Sequence, residues 1–501
     1  MNDTKNNFKK FIQDIENAKD YFIKHSRANN SSIRIYTHLD SDGLTAGAIL
    51  GKALYRESIP FQMTILRQLE KEEILKIAEN EFDNFLIFSD FGSGQYLELQ
   101  KELLLHGYKG HFIILDHHLP QKISDKNEIQ AIEEIHIETS PWHINPYFNR
   151  IDGSTEISGA GISYYFAKSL NSNNIDLSSV AIVGAVGDIQ NQGPHKSFIG
   201  INSLILEEAK SLGLVEIIDD LNFSPIKPLN EAIAYSSDIK LPGLTNDPNK
   251  TLKFLKTLGI LMEDSEGKVR TLSDIDKDEK QKIASAIIEY ATLKLDIEPN
   301  KIIQKLIVNR YLLTNENNSE LHDAEEFSNL LNACGRTNNA SLGIAIAMGD
   351  RQNSFQQAKE SLSNYKKSLH TALSWIKKGE KIQQKKNFQY FFGEDVITEN
   401  IVGTVSTMLI LGENVIVDKN KPIFGCALRE NEDVYKISGR AHEKIVNKGV
   451  NLSDAIREAL EMSNLEALGG GHPPAAGTKV PINKIDLFLE NLDEVIQEQI
   501  K

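Results

Sequence analysis

The chain lacks most features that would assign it to a class by inspection. It has two cysteines in 501 residues, Cys334 in "NACGRT" and Cys426 in "FGCALR", and no Cys-x-x-Cys pair. That supports neither a disulfide framework nor a zinc module, leaving two buried thiols as the simple reading. No apolar run approaches the roughly 20 residues needed to span a bilayer. The opening "MNDTKNNFKKFIQDIENAKDYF" reads as an amphipathic helix rather than a signal peptide. These absences predict a cytoplasmic chain with no membrane partner. A positive excess is also missing, since 55 Lys and Arg against 70 Asp and Glu give −15. That argues against a protein that coats duplexes through a broad basic surface. It leaves room for an enzyme acting on nucleic acid, because divalent cations held by carboxylates make an acidic protein locally attractive to phosphate. A G-x-x-x-x-G-K-[ST] loop is absent, so ATP use is unsupported.

The length predicts two to four domains, and 40% apolar with 25% charged residues marks an ordinary globular chain. From residue 33 to about 190, apolar runs of strand length alternate with helical patterns, as in "IRIYTHLD", "GLTAGAILGKALYRE", "FLIFSD", "QYLELQKELLLHG" and "HFIILDHH". Such alternation predicts an α/β fold with parallel strands joined by crossovers. "SSVAIVGAVGDIQ" reads as a buried helix or a strand, because periodicity does not separate the two. The stretch from about 200 to 355 is mostly helical in pattern. A long helix is expected over 355–386, whose second half, Tyr365 to Lys386, holds seven lysines and one acid. Those lysines form either a solvated face or a track for a nucleic-acid backbone. From about 390 a smaller α/β unit begins, with "NIVGTVSTMLI", "NVIVDK", "PIFGCALRE" and "VYKISGRAH" as its segments and Ser453 as a candidate N-cap.

Three acid-bearing motifs stand where apolar strand runs stop: His38, Asp40 and Asp42; Asp90; and Asp116, His117 and His118. In an open parallel sheet the carboxyl ends of strands line one edge, where ligands bind. Residues i, i+2 and i+4 of an extended segment face one side, so His38, Asp40 and Asp42 are expected to point together, with Gly43 turning the chain into the next helix. Singly, each residue has a plainer reading: Asp90 as a helix cap, His117 or His118 as a hydrogen-bonded structural histidine, Asp188 as a turn cap, His472 as part of a surface loop. Together they crowd carboxylates that cannot all stay ionised without positive charge. Oxygen and imidazole donors without thiolate suit Mn²⁺ and are compatible with Mg²⁺. Two such ions roughly 3.5–4 Å apart would clamp the attacking and leaving oxygens of a phosphoryl displacement.

In this order, "THLDSDG", "FSDFGSG", "LDHH" and "VGAVGD", followed by "KISGRAH" and "LGGGHPPAAG", resemble the motifs of the DHH phosphoesterase superfamily in its DHH plus DHHA1 branch. "LLNACGRTNNASLGIAIAMGD", "LPGL" and "IVGTVSTML" resemble segments of archaeal RecJ-like single-strand exonucleases, some of which associate with the GINS replication complex. The resemblance implies a DHH catalytic domain over 1–200, a mostly helical insertion over 201–354, a linker helix over 355–389 and a DHHA1 substrate-binding domain over 390–501. It implies two divalent metal ions, Mn²⁺ first and Mg²⁺ second, held by His38, Asp40, Asp42, Asp90, His117 and Asp188. Asp90 matches the acid that bridges the ions, and family branches vary at the position and spacing of His38. His118 matches a residue beside the scissile phosphate, and Asp116 a partner that orients an imidazole. Arg440 and the Gly469, Gly470, Gly471, His472 loop match substrate-binding elements. The function implied is removal of nucleotides from an end of single-stranded DNA or RNA. Hydrolysis of small phosphodiesters or short oligonucleotides is the alternative within the same chemistry. A replication scaffold that partners GINS with little or no catalysis is the alternative outside it.

Overall fold

The computed structural model describes residues 2–26, 32–120, 142–236, 238–295, 298–412, 416–429, 432–465, 467 and 469–500. The chain divides into two compact units, Met1–Lys359 and Glu360–Lys501.

The first unit is built on a five-stranded, all-parallel sheet of order β2-β1-β3-β4-β5. Its strands are β1 (Ile33–His38), β2 (Phe61–Leu66), β3 (Phe85–Ser89), β4 (Phe112–Leu115) and β5 (Trp142–Ile144). The runs "FLIFS" and "FIIL" are buried at every position because helices cover both faces of β3 and β4. Edge strand β2 alternates instead, with every second residue exposed over its first four positions. The helices are α1 (Asn2–Ser26), α2 (Ser41–Arg56), α3 (Lys71–Asn80), α4 (Tyr96–Leu105), α5 (Gly159–Leu170), α6 (Ser178–Gly187) and α7 (Gly200–Ser211). The ambiguous "SSVAIVGAVG" is thus helix α6. Small residues let α2 pack closely on both sides: a Cβ added at Gly184 of α6 would meet Thr45 Oγ1 of α2 at 2.3 Å, and one at Gly47 of α2 would meet Thr37 Cγ2 of β1 at 2.9 Å.

The span 201–354 holds two different packings. Strands β6 (Val215–Leu221) and β7 (Ile307–Leu313) pair antiparallel and frame helices α8 (Leu229–Ala234), α9 (Pro248–Thr257), α10 (Lys277–Leu295) and α11 (Pro299–Leu306). Leu229, Ile233, Leu255, Leu272, Ile283, Ile287 and Leu306 give that framed segment its own core. Helices α12 (Ala324–Arg336) and α13 (Ala340–Ala347) instead pack on α2 and α6 of the sheet domain.

The helix expected over 355–386 is α14 (Asn353–Lys378) and is shorter. Gly379 and the left-handed Glu380, at φ +48°, end it, so Lys381, Lys385 and Lys386 lie beyond its last turn. The second unit holds a six-stranded mixed sheet of order β12-β13-β11-β10-β9-β8, in which only β9 and β10 run parallel. Its strands are β8 (Gln383–Gln384), β9 (Gln389–Phe392), β10 (Ile423–Leu428), β11 (Val434–Arg440), β12 (Gly470–His472) and β13 (Ala475–Pro481), with helices α15 (Val402–Leu411), α16 (Leu452–Met462) and α17 (Ile485–Ile500). Alternation along β10 serves two cores. Phe424 and Cys426 join Ile456, Phe488 and Leu492 on one face, while Ile423 and Ala427 join Val402, Val405 and Leu409 on the other. Both free cysteines are buried, and burial pushes each thiol up to about 12. "NVIVDK" forms no strand in its described part, Ile416–Lys419, and Asn414 and Val415 lie outside the described residues. The N-cap of α16 is Asn451 rather than Ser453, with its side chain accepting from the N–H groups of Ser453 and Asp454. No helix among the described residues is long and apolar enough to cross a membrane.

Candidate metal centre

The ends of the parallel strands are in register: Thr37 lies opposite Ser89, Ser89 opposite Leu115, and Leu115 opposite Ile144. The residues at or just past the end of each strand therefore emerge at one edge of the sheet: His38, which ends β1, and Asp40, then Asp90, Asp116 to His118, and Asn145.

Asp42 reaches this edge by a route other than strand alternation. Strand β1 stops at His38, and Asp40 is the N-cap of α2, its Oδ1 accepting from Gly43 N at 3.0 Å. Capping satisfies an otherwise orphan amide and bends the chain into helix at once, so Asp42 projects from the first helical turn. Gly43 is helical as well and is not a turn. Its lack of a side chain gives room, because a Cβ there would sit 2.4 Å from the His38 carbonyl oxygen. Asp188 likewise follows a helix and not a strand, as the C-cap of α6.

Buried His117 is the hub. Its Nδ1–H donates to the Gly153 carbonyl at 2.7 Å. That fixes the tautomer and turns Nε2 toward Asp90 Oδ1 at 3.1 Å, Asp42 Oδ2 at 3.6 Å and Asp188 Oδ2 at 3.8 Å. His38 Nδ1 stands 2.9 Å from Asp40 Oδ2 and 3.6 Å from Asp90 Oδ2. Three donor groups result: His38, Asp40 and Asp90; Asp42, His117 and Asp188; and Asp90, His117 and His118, with the donor atoms of each within 4.8 Å of one another. Asp42 is held from behind by α5, whose first amides at Gly159 and Ala160 donate to its two oxygens at 2.7 and 3.0 Å.

The electrostatics show a cluster short of positive charge. Burial and the neighbouring Asp90 push the Asp42 carboxyl well above its ordinary range, and burial raises Asp188. Burial also works on Asp90, yet its contacts with His117 and His38 outweigh it and hold that carboxyl well below the usual range. Burial opposes charge on His117, but Asp90 and Asp42 raise the imidazole well above its normal value.

These residues fit divalent cations. Both carboxylate oxygens of Asp90 are buried and face only the imidazoles of His117 and His38, with no backbone or hydroxyl donor, and Asp90 itself is 1% exposed with φ at +63°. A strained, buried carboxylate facing only two imidazoles is expensive unless further positive charge sits beside it. Hard oxygen donors with imidazole nitrogen are the ligand set of Mn²⁺ or Mg²⁺. Crowding supports the same reading: a Cβ at Gly159 would lie 2.5 Å from Asp90 Oδ1, and one at Gly184 2.7 Å from Asp42 Oδ1.

His118 sits beside this centre with its side chain 54% exposed. Its Nδ1–H donates to Asp116 Oδ1 at 2.8 Å, and its backbone N–H donates to the same oxygen at 3.1 Å. Burial lowers the His118 pKa, yet Asp116 more than compensates and holds it above its ordinary value. Asp116, fully buried, is held down to about 2 by this bond against the opposing effect of burial.

In the second unit, Arg440 ends β11, where its Nε donates to Thr407 Oγ1 at 2.9 Å and its Nη1 to the Gly439 carbonyl at 2.7 Å. Arg440 and His472 both pair with Ala475, so they occupy one row at one end of the sheet. His472 belongs to edge strand β12 rather than to a loop, and it is exposed. The glycines before it differ in role. A Cβ at Gly469 would meet Ile456 at 2.6 Å, and Gly471 needs its φ of +140°, while nothing surrounds Gly470. Leu468, which opens the motif, lies outside the described residues.

Sequence reasoning missed the supports. Asn145, 1% exposed, donates through Nδ2 to the His118 carbonyl and to Ser93 Oγ, both at 2.8 Å, and the Ser93 N–H donates to Asp116 Oδ2 at 2.8 Å. Asn332 of α12 accepts the Ser41 N–H at 2.9 Å. A Cβ on nearby Gly335 would lie 1.9 Å from the Leu39 carbonyl oxygen. Ser93 and Asn332 fall in motifs that carried the family resemblance, which is a usable signal. Asn145 has none.

A parallel sheet with Asp and His clustered at its carboxyl edge, followed by a mixed-sheet unit, is the architecture of the DHH/DHHA1 phosphoesterases. The chain belongs to that superfamily: residues 224–307 match the DHH-CID domain and 386–498 the DHHA1 domain. It is 33% identical over 472 residues, 94% of each chain, to the uncharacterized protein MJ0831 of Methanocaldococcus jannaschii. Its fold is similar to that of RecJ from Thermus thermophilus in complex with Mn²⁺, with a TM-score of 0.54 and 15% identity. That alignment covers 97% of this chain and 55% of RecJ, so the chain spans about half of that protein. CDC45 from Entamoeba histolytica is similar in fold along its whole length, with a TM-score of 0.64 and 12% identity over 97% of this chain and 99% of that one.

Proposed function

We propose that this protein is a two-metal-dependent phosphodiesterase of the RecJ-like type that hydrolyses single-stranded DNA or RNA from an end. The observation that carries the reading is Asp90. Its buried carboxylate belongs to the group with His38 and Asp40 and also stands against His117 of the group with Asp42 and Asp188. Two cations, Mn²⁺ first and Mg²⁺ second, would supply Lewis acidity to the phosphodiester and charge balance to the acids. His38, Asp40 and Asp90 would hold one, and Asp42, His117 and Asp188 the other. His118, exposed and pinned by Asp116, would donate a hydrogen bond to a phosphate oxygen. Arg440 and His472, in one row of the second unit, would grip the strand backbone. The filled acid and histidine positions favour an enzyme over a scaffold. A GINS-like replication partner belongs to this proposal through the sequence resemblance alone.

Digestion of 5′- and 3′-labelled single strands of DNA and RNA, with Mn²⁺, Mg²⁺ or EDTA, tests it. Stepwise shortening from one labelled end, abolished by EDTA and restored by Mn²⁺, is the expected result. Cleavage that persists in EDTA, or no cleavage with either metal, overturns it.

A further inference from the structure

Helix α6 ends in a Schellman arrangement. The Ile189 N–H bonds the Val186 carbonyl at 3.0 Å, and the Gln190 N–H bonds the Ala185 carbonyl at 2.9 Å. Such an ending ordinarily places glycine at the first of these positions, where the backbone turns left-handed, and an apolar residue at the second, packed back on the helix. Here the pattern is inverted. Ile189 takes the left-handed position at φ +56° with its side chain 70% exposed, while Gln190 is fully buried. A β-branched residue is strained in that region, and a buried amide is unfavourable unless its donors and acceptor are matched.

Those of Gln190 are matched. Its Nε2 donates to the Gly153 carbonyl at 2.8 Å and to Asp188 Oδ2 at 2.9 Å, and its Oε1 accepts from Asn202 Nδ2 at 2.6 Å. The Gly153 carbonyl is the same one that takes the Nδ1–H of His117. One buried amide therefore holds the Asp188 carboxylate and shares the anchor of the His117 ring. Both residues belong to a single donor group, the one completed by Asp42.

We infer that Gln190 is a positioning residue for one of the two cation sites, fixing Asp188 and His117 as a pair, and that the strained Ile189 is the local consequence of turning Gln190 inward. The inference rests on the two-cation reading proposed above, and the test separates the two. Mn²⁺ binding to the full chain is measured by electron paramagnetic resonance and calorimetry, with thermal unfolding in parallel, for the wild type, Gln190→Met, Asn202→Ala and Ile189→Gly. Two bound ions are expected in the wild type. In Gln190→Met one affinity falls about 10–100-fold, the range for a lost partner behind a ligand, and the other stays within about twofold. Asn202→Ala, which removes only the grip on Oε1, weakens the same site by less and carries the test if Gln190→Met does not fold. Ile189→Gly unfolds at a higher temperature with both affinities unchanged. Unchanged affinities in both Gln190→Met and Asn202→Ala would overturn the inference, as would equal weakening of both sites. A wild type that binds no Mn²⁺ would overturn the two-cation reading itself.

Discussion

In the first unit the candidate ligands Asp42 and Asp90 are each 1% exposed, and neighbouring glycines leave them no slack. In the second, Gly470, Gly471 and His472 stand exposed on a three-residue edge strand. A cation site demands fixed donors within a few tenths of an ångström, and packing supplies that. The backbone-gripping role proposed for the second unit would tolerate movement, and an open strand edge suits it. The two units thus carry the same residue types, histidine and glycine, under opposite constraints.

Asp90→Ala should break the comparison most severely. It removes the carboxylate that stands against both His38 and His117 and should reduce cleavage by well over the roughly 100-fold that a supporting partner costs, without unfolding the chain. Single-turnover cleavage of a labelled strand, with circular dichroism as the folding control, measures this. Wild-type cleavage by a folded Asp90→Ala protein would remove Asp90 from the centre.

A matched pair of glycine substitutions comes next. Gly159→Ala puts a methyl 2.5 Å from Asp90 Oδ1. It should destabilise the protein by about 1–3 kcal/mol and lower cleavage on the order of a hundredfold through a displaced ligand. Gly470→Ala meets nothing within 4 Å and should leave the urea midpoint unchanged. Equal effects would erase the distinction between the two units. A smaller effect than that of Gly159→Ala is expected at Arg440. Arg440→Ala should weaken single-strand binding and reduce the slope of log affinity against log salt by about 1 while leaving Mn²⁺ affinity alone. A titration series in salt reads it, and an unchanged slope would take Arg440 off the backbone.

Much of this was visible in the residues. "FLIF" and "FIIL" read as strands because a sheet covered on both faces asks only for apolar side chains, and the acids at their ends followed from that placement. What was hidden depended on competition between local options. Asp40 could continue an extended strand or cap a helix, and capping won, carrying Asp42 in on a helical turn. "SSVAIVGAVG" had no period because α6 is buried over most of its surface. Asn451 and Ser453 are both capping residues. Asn451 takes the role in a chain held by Gln499, whose side chain accepts the Asn451 N–H at 2.9 Å. Gln190 and Asn145 had no local signature, since the Gly153 and Asn202 partners that fix Gln190 and the His118 and Ser93 partners of Asn145 lie well away in sequence.

The bond from the Ser41 N–H to Asn332 spans 291 positions. At about 5–20 residues per second, a ribosome that has just made the loop with Asp40 and Asp42 needs roughly 15–60 seconds more to make the residue that braces it. Gly335, pressed against the Leu39 carbonyl, arrives later still. Order of synthesis therefore separates the acids from their buttress, and the nascent chain carries an unbraced centre until α12 has emerged.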